Sequence, residues 1–307
     1  MMRKFACASL ATVTLSLVPA AGASAQAPAA TESPNTAQAP PAPPTTPAAD
    51  NPVDPNPGAL SFTGNMDFLA GTPYIFRGIV QEAKPELTMW PAGDIGISLY
   101  SGEKALKSAS FNFGIWNSLH TGSSGLDNST TKKQHYEEDF YAALGLGFSK
   151  AAFTTTYTAY TSPNGMFGTV HEIAFKTAIV HKIAPYVLLA QELGAVGADG
   201  GSNKGTYVEL GIGPSWPVAG GKATIGIPVK VGLSANNYYE LNGVDNKFGF
   251  LDIGALFTVP LTAIPSNFGA WNVHVGGDGF LFGETTKAIN AGKKSKGVFL
   301  FGFGVGY

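Results

Sequence analysis

The side chains of this sequence that could bind or select a solute are charged residues set in short, otherwise apolar segments. Asp67, for example, lies between Met66 and Phe68. Because side chains of a β-strand point alternately to opposite faces, we expect such charges to share one face of a sheet. The residues with this expectation are Asp67, Arg77, Asp94, Asp139, Glu172, Lys176, Glu209, Lys230, Asp252 and Asp278.

These charges are expected to line the interior of a β-barrel, since Arg or Lys facing the middle of a bilayer destabilises a barrel by about 2–4 kcal/mol. Lining a pore, mixed carboxylates and cations would select small solutes. They could instead pair with one another and fill the interior, and the sequence leaves both interpretations open. Arg77 is expected at the external end of the first strand, facing inward. There it could form an ion pair with an acidic residue of the lumen or bind an anionic solute, and the structural ion pair is the favoured interpretation.

A lipid hydrolase of the outer membrane is the alternative from another class. It requires a histidine, a carboxylate and a nucleophile at one rim. Some of these residue types occur close together, but without a specific motif. One set is His171 with Ser162, and the other is His135 with Glu137 and Asp139. The second set could also bind a metal, but alternation at the top of a strand is the simpler account. We therefore predict no enzyme activity and no cofactor.

Four lysines occupy the last predicted external loop: Lys287, Lys293, Lys294 and Lys296. At the outer surface they could contact the phosphate groups of outer-leaflet lipid. An ordinary solvated loop explains them equally well.

Period-two alternation of apolar and polar residues predicts the elements that position these side chains. There are twelve such segments, an even number, and most approach the 9–11 residues that a tilted membrane strand needs. They span residues 60–70, 87–100, 105–119, 136–148, 151–161, 169–179, 186–193, 206–216, 223–233, 248–259, 271–281 and 298–307.

The connections between these segments alternate in length. Short turns such as 149–150 interleave with longer polar loops such as 121–134, 195–205, 235–246 and 282–296. A barrel threaded from the periplasm has short turns inside and long loops outside. A soluble sandwich would also give short strands, but it has no reason to segregate loop lengths in this way.

Composition supports a membrane barrel. Charged residues make up 13% of the chain, about half the usual share, and glycine reaches 39 residues. No apolar run after the first residues approaches the length of a helical span. With 19 basic against 21 acidic residues, the chain has no basic excess that would indicate nucleic-acid binding.

Residues 1–25 are expected to be a signal peptide. Arg3 and Lys4 precede an apolar stretch, and Ala23-Ser24-Ala25 offers a cleavage site before Gln26. Residues 26–58 form a proline-rich segment that cannot bury a core and is expected to be a disordered tether. The third unit, residues 59–307, is the predicted barrel.

The last segment alternates aromatic residues from Phe299 to Tyr307 and ends on the aromatic. Such a strand resembles the signal that barrel-assembly machinery reads. Trp216, Trp271 and Tyr307 are expected near the periplasmic ends of their strands, where they fit an aromatic girdle.

Residues 74–81 read Tyr-Ile-Phe-Arg-Gly-Ile-Val-Gln. This run, within the segment 72–81, resembles the TorF family of porins, which commonly shows a Tyr-x-Phe-Arg-Gly-x-Ser/Thr-Gln run at this place. Val80 and the proline-rich segment depart from the family pattern. The resemblance implies an outer-membrane barrel with a transport role and does not imply the solute. The matching residues are Tyr74, Phe76, Arg77, Gly78 and Gln81.

The sequence therefore predicts an all-β, twelve-stranded antiparallel barrel in the outer membrane of a Gram-negative bacterium. We expect it to act as a porin or channel for small solutes, with a lipid hydrolase or a closed scaffold or recognition barrel as alternatives. The predicted partners are outer-membrane lipid, the barrel-assembly machinery and small solutes.

Overall fold

The computed structural model describes residues 59–125, 130–194 and 203–307 of the chain. The predicted signal peptide and the tether of residues 26–58 lie outside the described residues. Twelve strands, two of them interrupted, form a single sheet. They are β1 (Leu60–Ala70), β2 (Leu87–Ser101), β3 (Leu106–His120), β4 (His135–Phe148), β5 (Ala151–Thr161), β6 (Val170–Ile179), β7 (Tyr186–Glu192), β8 (Thr206–Ile212, continued by Ser215–Val218), β9 (Ala223–Gly226, continued by Val229–Asn236), β10 (Phe248–Pro260), β11 (Ala270–Phe282) and β12 (Ser295–Gly306).

The sheet closes on itself, because β1 pairs antiparallel with both β2 and β12. Phe68 stands opposite Met89 of β2 and opposite Phe301 of β12. The Phe68 and Phe301 rings stack with their centroids 5.2 Å apart. Closure leaves no unpaired sheet edge, which is the condition for a β-structure to cross a membrane. The predicted fold class is confirmed.

Prolines account for the two interrupted strands. Pro214 lies in the break of β8 and Pro228 in the break of β9. Proline has no backbone N–H to donate to a ladder. The carbonyl of Pro228 nevertheless accepts a bond of 2.9 Å from the Gly254 N–H, so the sheet continues across the break.

Alternation sorts the side chains between the two sides of the barrel. On β12, Phe299 and Phe301 are 49% and 45% exposed on the outside, whereas Val298 and Leu300 between and beside them are buried. On β6, Phe175 is exposed and Glu172 is buried. The outer surface is therefore apolar, as a lipid-facing surface must be, and the charged side chains point inward.

Short turns gather at one end of the barrel and longer loops at the other, which we call the loop end. Among the described residues, no helix has the length and apolarity needed to cross a bilayer. The one α-helix there, α1 (Glu284–Ile289), belongs to the loop between β11 and β12.

One connection at the loop end folds into the barrel instead of outward. After β1, Tyr74–Phe76 and Ile79–Glu82 pair as a small hairpin, which we call the inner hairpin. Arg77 lies in its turn, so the prediction that Arg77 ends the first strand was wrong. The physical reason is apolar content: Ile75, Phe76 and Ile79 are almost fully buried and could not remain in an external loop.

Candidate functional site

The inner hairpin turns at Arg77 and Gly78. Both residues have positive φ, 44° and 76°, as a two-residue hairpin turn of type I′ requires. A Cβ on Gly78 would come within 2.8 Å of Phe250, so glycine is needed both for conformation and for space. The turn therefore delivers the Arg77 side chain into the barrel interior.

Arg77 forms a bidentate salt bridge with Glu172 of β6. Its Nη1 donates to Glu172 Oε2 over 2.8 Å and its Nη2 donates to Glu172 Oε1 over 3.1 Å. Nη1 also donates to the Tyr238 hydroxyl over 2.8 Å. Burial alone would lower the pKa of Arg77, but the Glu172 charge and neighbouring tyrosines hold that pKa well above its ordinary value. Arg77 is therefore a buried, permanently charged clamp.

Aromatic rings enclose the guanidinium group. Its carbon lies 3.9 Å from the centroid of the Tyr207 ring and 5.1 Å from that of Tyr238. The Tyr160 hydroxyl donates to Glu172 Oε1 over 3.2 Å. We call Tyr160, Glu172, Tyr207 and Tyr238 the cage. It offers a cation one carboxylate and two ring faces, those of Tyr207 and Tyr238, a combination that favours guanidinium groups.

The sides of the inner hairpin make further polar contacts with the wall. The Tyr74 hydroxyl donates to Glu137 Oε2 over 3.0 Å. Burial, and then the charges of Glu137 and Asp139, raise the pKa of Tyr74 well above its ordinary value, which keeps this hydroxyl a donor. Tyr136 donates to Gln81 Oε1 over 3.3 Å.

Glu82, at the end of the inner hairpin, lies beside His120 of β3. The His120 Nε2 is 2.8 Å from Glu82 Oε1 and 3.1 Å from the Ser124 Oγ. Burial raises the pKa of the Glu82 carboxyl, and the hydrogen bond and charge of His120 oppose this only in part. In a serine hydrolase, the nucleophilic hydroxyl and the orienting carboxylate contact different ring nitrogens of the histidine base. Here both neighbours approach the same nitrogen, so the arrangement is not a catalytic triad.

The loop between β11 and β12 holds the inner hairpin from another side. Asn290, just after α1, donates from Nδ2 to the Gly78 carbonyl and accepts at Oδ1 from the Val80 N–H, both over 2.8 Å. The α1 segment is itself anchored where Thr286 donates to the Gly249 carbonyl over 2.5 Å. Asn290 therefore ties the turn and the second strand of the inner hairpin to the loop between β11 and β12.

The two ends of the segment 71–86 are joined by a hydrogen bond at the rim of the barrel. The Gly71 N–H donates to the Glu86 carbonyl over 2.7 Å, and both residues have positive φ. Only residues 71–73 connect β1 to the inner hairpin, and residues 83–86 connect the hairpin to β2.

A second charged group surrounds Lys230. Its Nζ lies 2.9 Å from Asp252 Oδ2, and Glu209 and Asp278 also interact with its charge. Glu209 accepts hydrogen bonds from the hydroxyls of Tyr207 and Tyr186 over 2.5 and 2.7 Å. This group therefore connects to the cage through Tyr207.

The remaining predicted residues lie in separate places. The Lys176 Nζ lies 4.4 Å from the centroid of the Tyr186 ring. Asp67 pairs with His274 over 2.6 Å, and Asp94 accepts a bond of 2.6 Å from Asn112. Asp139 is buried, and its charge interacts with those of Glu137 and Glu172. The structure thus joins Arg77, Glu172 and Asp139 in one group and Glu209, Lys230, Asp252 and Asp278 in another.

The four lysines of the last loop do not share one environment. Lys287 lies on α1 with its Nζ 3.5 Å from Glu284, and Lys293 and Lys294 are exposed. Lys296 was expected in the loop, but it lies in β12 on the interior phase shared with Val298. That placement is a correction, since an inward-pointing residue does not face the lipid.

Several residues of the site were not predicted from the sequence. The cage tyrosines, Glu82 and Asn290 are the main ones. Tyr160 and Tyr207 lie on the charged phase of their strands, and large aromatic residues on an inward phase were the available signal. Among the described residues, no group of three or more His, Cys, Asp or Glu could hold a metal ion.

Comparison with known proteins gives no family. No family model matches the chain, and no curated protein matches it. The outer-membrane channel DcaP of Acinetobacter baumannii is similar at 10% identity and a TM-score of 0.34, over 81% of this chain and 96% of that one. The translocator domain of the autotransporter NalP from Neisseria meningitidis is similar at 14% identity and a TM-score of 0.37, over 83% and 90%. The β-domain of the Bordetella autotransporter BrkA has 13% identity and a TM-score of 0.36, over 82% and 99%. Likenesses this distant carry no argument about function, and the barrel assignment rests on the strand pairing described above.

Proposed function

We propose that the chain is an outer-membrane channel for small solutes whose passage is closed by the inner hairpin. The observation that carries the proposal is the polar interior of the wall, which the inner hairpin covers without being part of the wall. The apolar outer surface supports a location in a membrane, and the aromatic alternation of β12 supports insertion by barrel-assembly machinery. The proposal includes no catalytic step.

The chemistry of the interior favours a channel over a static scaffold. Buried ion pairs contribute little to stability, and well-packed apolar replacements are often neutral or stabilising. A barrel that served only as a scaffold would therefore be filled more stably by apolar residues. Charges such as those of Glu172, Lys230 and Asp252 are expected where water and solutes replace the hairpin during part of the working cycle.

The interior charge favours cations. Among the described residues, buried acidic side chains greatly outnumber the buried Arg77 and Lys230. Rings of Asp and Glu select cations in channels. The acidic side chains are Asp67, Glu82, Asp94, Glu137, Asp139, Glu172, Glu192, Glu209, Glu240, Asp252 and Asp278.

The motif at residues 72–81 gives this proposal a finer form. Its TorF-like residues Tyr74, Phe76, Arg77, Gly78 and Gln81 build the inner hairpin. We therefore propose a porin of the TorF type in which this motif is the closing element, and not a contact for lipid or for a partner outside the barrel.

Single-channel recording in planar bilayers tests the function. We expect the native chain to conduct rarely and a variant with residues 73–84 replaced by two glycines to show larger, frequent, cation-selective steps. The control variant Asn242→Gly, in an exposed turn at the same end of the barrel, is expected to behave like the native chain. A folded deletion variant that stays electrically silent contradicts the proposal and leaves a closed scaffold.

A further inference from the structure

The cage has the composition of a binding site for a guanidinium group. Glu172 accepts hydrogen bonds from the two terminal nitrogens of Arg77, and the guanidinium carbon lies over the Tyr207 ring, 3.9 Å from its centroid. A compact ammonium ion can be neither bidentate in this way nor stacked as a plane. The geometry therefore selects a planar, delocalised cation.

The walls of the cage are held by contacts that do not involve Arg77. The Tyr207 hydroxyl donates to Glu209 over 2.5 Å, and the Tyr160 hydroxyl supports Glu172 over 3.2 Å. The Tyr238 N–H donates to the Ser234 Oγ over 3.0 Å. Because these supports remain when the hairpin leaves, the cage keeps its shape for another occupant.

Arg77 itself is an imperfect occupant. Its backbone has a φ of 44°, a conformation that costs about 1–2 kcal/mol for a residue with a Cβ. Its Nε is buried and has no hydrogen-bond acceptor among the described residues. A free guanidinium compound has neither the backbone strain of Arg77 nor its fixed Nε position, so it can compete with the tethered side chain for the cage.

An empty cage would attract a cation strongly. Without Arg77, the buried Glu172 carboxylate would lose the cation that it pairs with over 2.8 Å among the described residues. A buried charge that loses its partner is strongly destabilising. The vacated site therefore favours recruitment of a cation from solution.

We propose that the cage is a binding site for a solute bearing a guanidinium group, and that Arg77 occupies it as an internal substitute for that solute. Competition for the cage releases the inner hairpin. The binding site stands on the geometry alone, whereas the release of the hairpin as an opening step rests on the proposed channel function.

The binding site is tested with the full chain and methylguanidinium as the probe. The variant Arg77→Gly vacates the cage and suits the positive φ of the turn. We expect about ten dissociation constants of methylguanidinium to raise the Tm of this variant by about 3 °C or more. The native chain, whose cage is filled, and the double variant Arg77→Gly/Glu172→Gln are expected to show no such rise. An equal rise in the single and double variants, or none in either, overturns the proposal.

The native chain provides a test that does not depend on the folding of a variant. Methylguanidinium on the loop side of a bilayer is expected to raise the open probability several-fold, and methylammonium at equal concentration is not. Equal effects of the two ions overturn the selectivity of the cage. A Tm rise in Arg77→Gly without any conductance in the native or hairpin-deleted chain supports the site and overturns the channel function.

Discussion

Lys230 of β9 and Asp252 of β10 stand opposite each other in register, with Nζ 2.9 Å from Oδ2. Neither charge reaches solvent, and the contact lies off the direction of a regular hydrogen bond. The pair therefore neutralises charge more than it orients side chains. Removing one partner leaves the other buried and uncompensated.

Lys230→Met is accordingly expected to lower the free energy of unfolding by about 3–5 kcal/mol. Urea unfolding followed by tryptophan fluorescence measures this change. Lys222→Met, at an exposed turn, is the control and is expected to change little. Equal stability of the two variants would contradict the assigned role of Lys230.

Asn290→Ala removes both hydrogen bonds that tie the inner hairpin to the last loop. Each bond left unmade in a buried place costs about 1–3 kcal/mol, so the hairpin should leave its site more often. We expect a higher open probability in planar bilayers with unchanged single-channel selectivity. Asn236→Ala, at an exposed position, serves as the control. If Asn290→Ala opens no more often than this control, Asn290 does not restrain the hairpin.

The hold on the inner hairpin is expected to depend on pH through Glu82. Burial raises the pKa of this carboxyl in the folded state, and His120 opposes the shift only in part. Because the pKa of Glu82 is higher in the folded state than in the unfolded state, protonated Glu82 stabilises the folded state. This contribution is complete below the unfolded-state pKa of about 4.3 and is lost as pH rises through the folded-state pKa.

The open probability should therefore increase as pH rises from about 4.3 upward. Glu82→Gln should flatten this increase, whereas Glu86→Gln, an exposed neighbour, should preserve it. Conductance recorded over a pH series makes the comparison. An unchanged pH profile in Glu82→Gln would assign the titration to another group.

The exposed apolar side chains on the outer surface of the strands, which we call the apolar belt, predict that a charge placed there lowers stability by an amount that depends on its depth in the bilayer. Phe175→Arg, at the middle of β6, is expected to lower stability in lipid by about 2–4 kcal/mol. Ile179→Arg, at the turn end of the same strand, should cost about 0–1 kcal/mol because its side chain reaches the interface. Unfolding from lipid vesicles measures both variants. Equal costs would mean that the belt does not face a bilayer.

The strands were predictable because alternation is a local property of each segment. Every predicted segment corresponds to a strand of the barrel, with ends shifted by a few residues. The inner hairpin was not predicted, since folding inward depends on the space inside the closed barrel. Gly249 illustrates the same limit. A Cβ there would come within 2.0 Å of Tyr239. The sequence places Tyr239 in a loop, so no local pattern shows that the two residues are in contact.

The cage could be predicted only in part. Glu172 was expected to face inward, but its partner Arg77 is 95 residues away along the chain. The apolar content of residues 74–80 was the signal that this segment is not an external loop. Pairing Arg77 with Tyr207 and Tyr238 requires the three-dimensional arrangement of β8 and of the loop after β9, which no local pattern contains.

The short connection between β1 and the inner hairpin limits how far the hairpin can travel. Three extended residues span roughly 10 Å, so the hairpin can swing aside as a flap but cannot leave the mouth of the barrel. In the proposed channel, the size of the passage is then set by the length of the connections to the hairpin and not by the circumference of the wall. Inserting residues into both connections, after Gly71 and after Ala83, should admit larger solutes through an otherwise unchanged barrel.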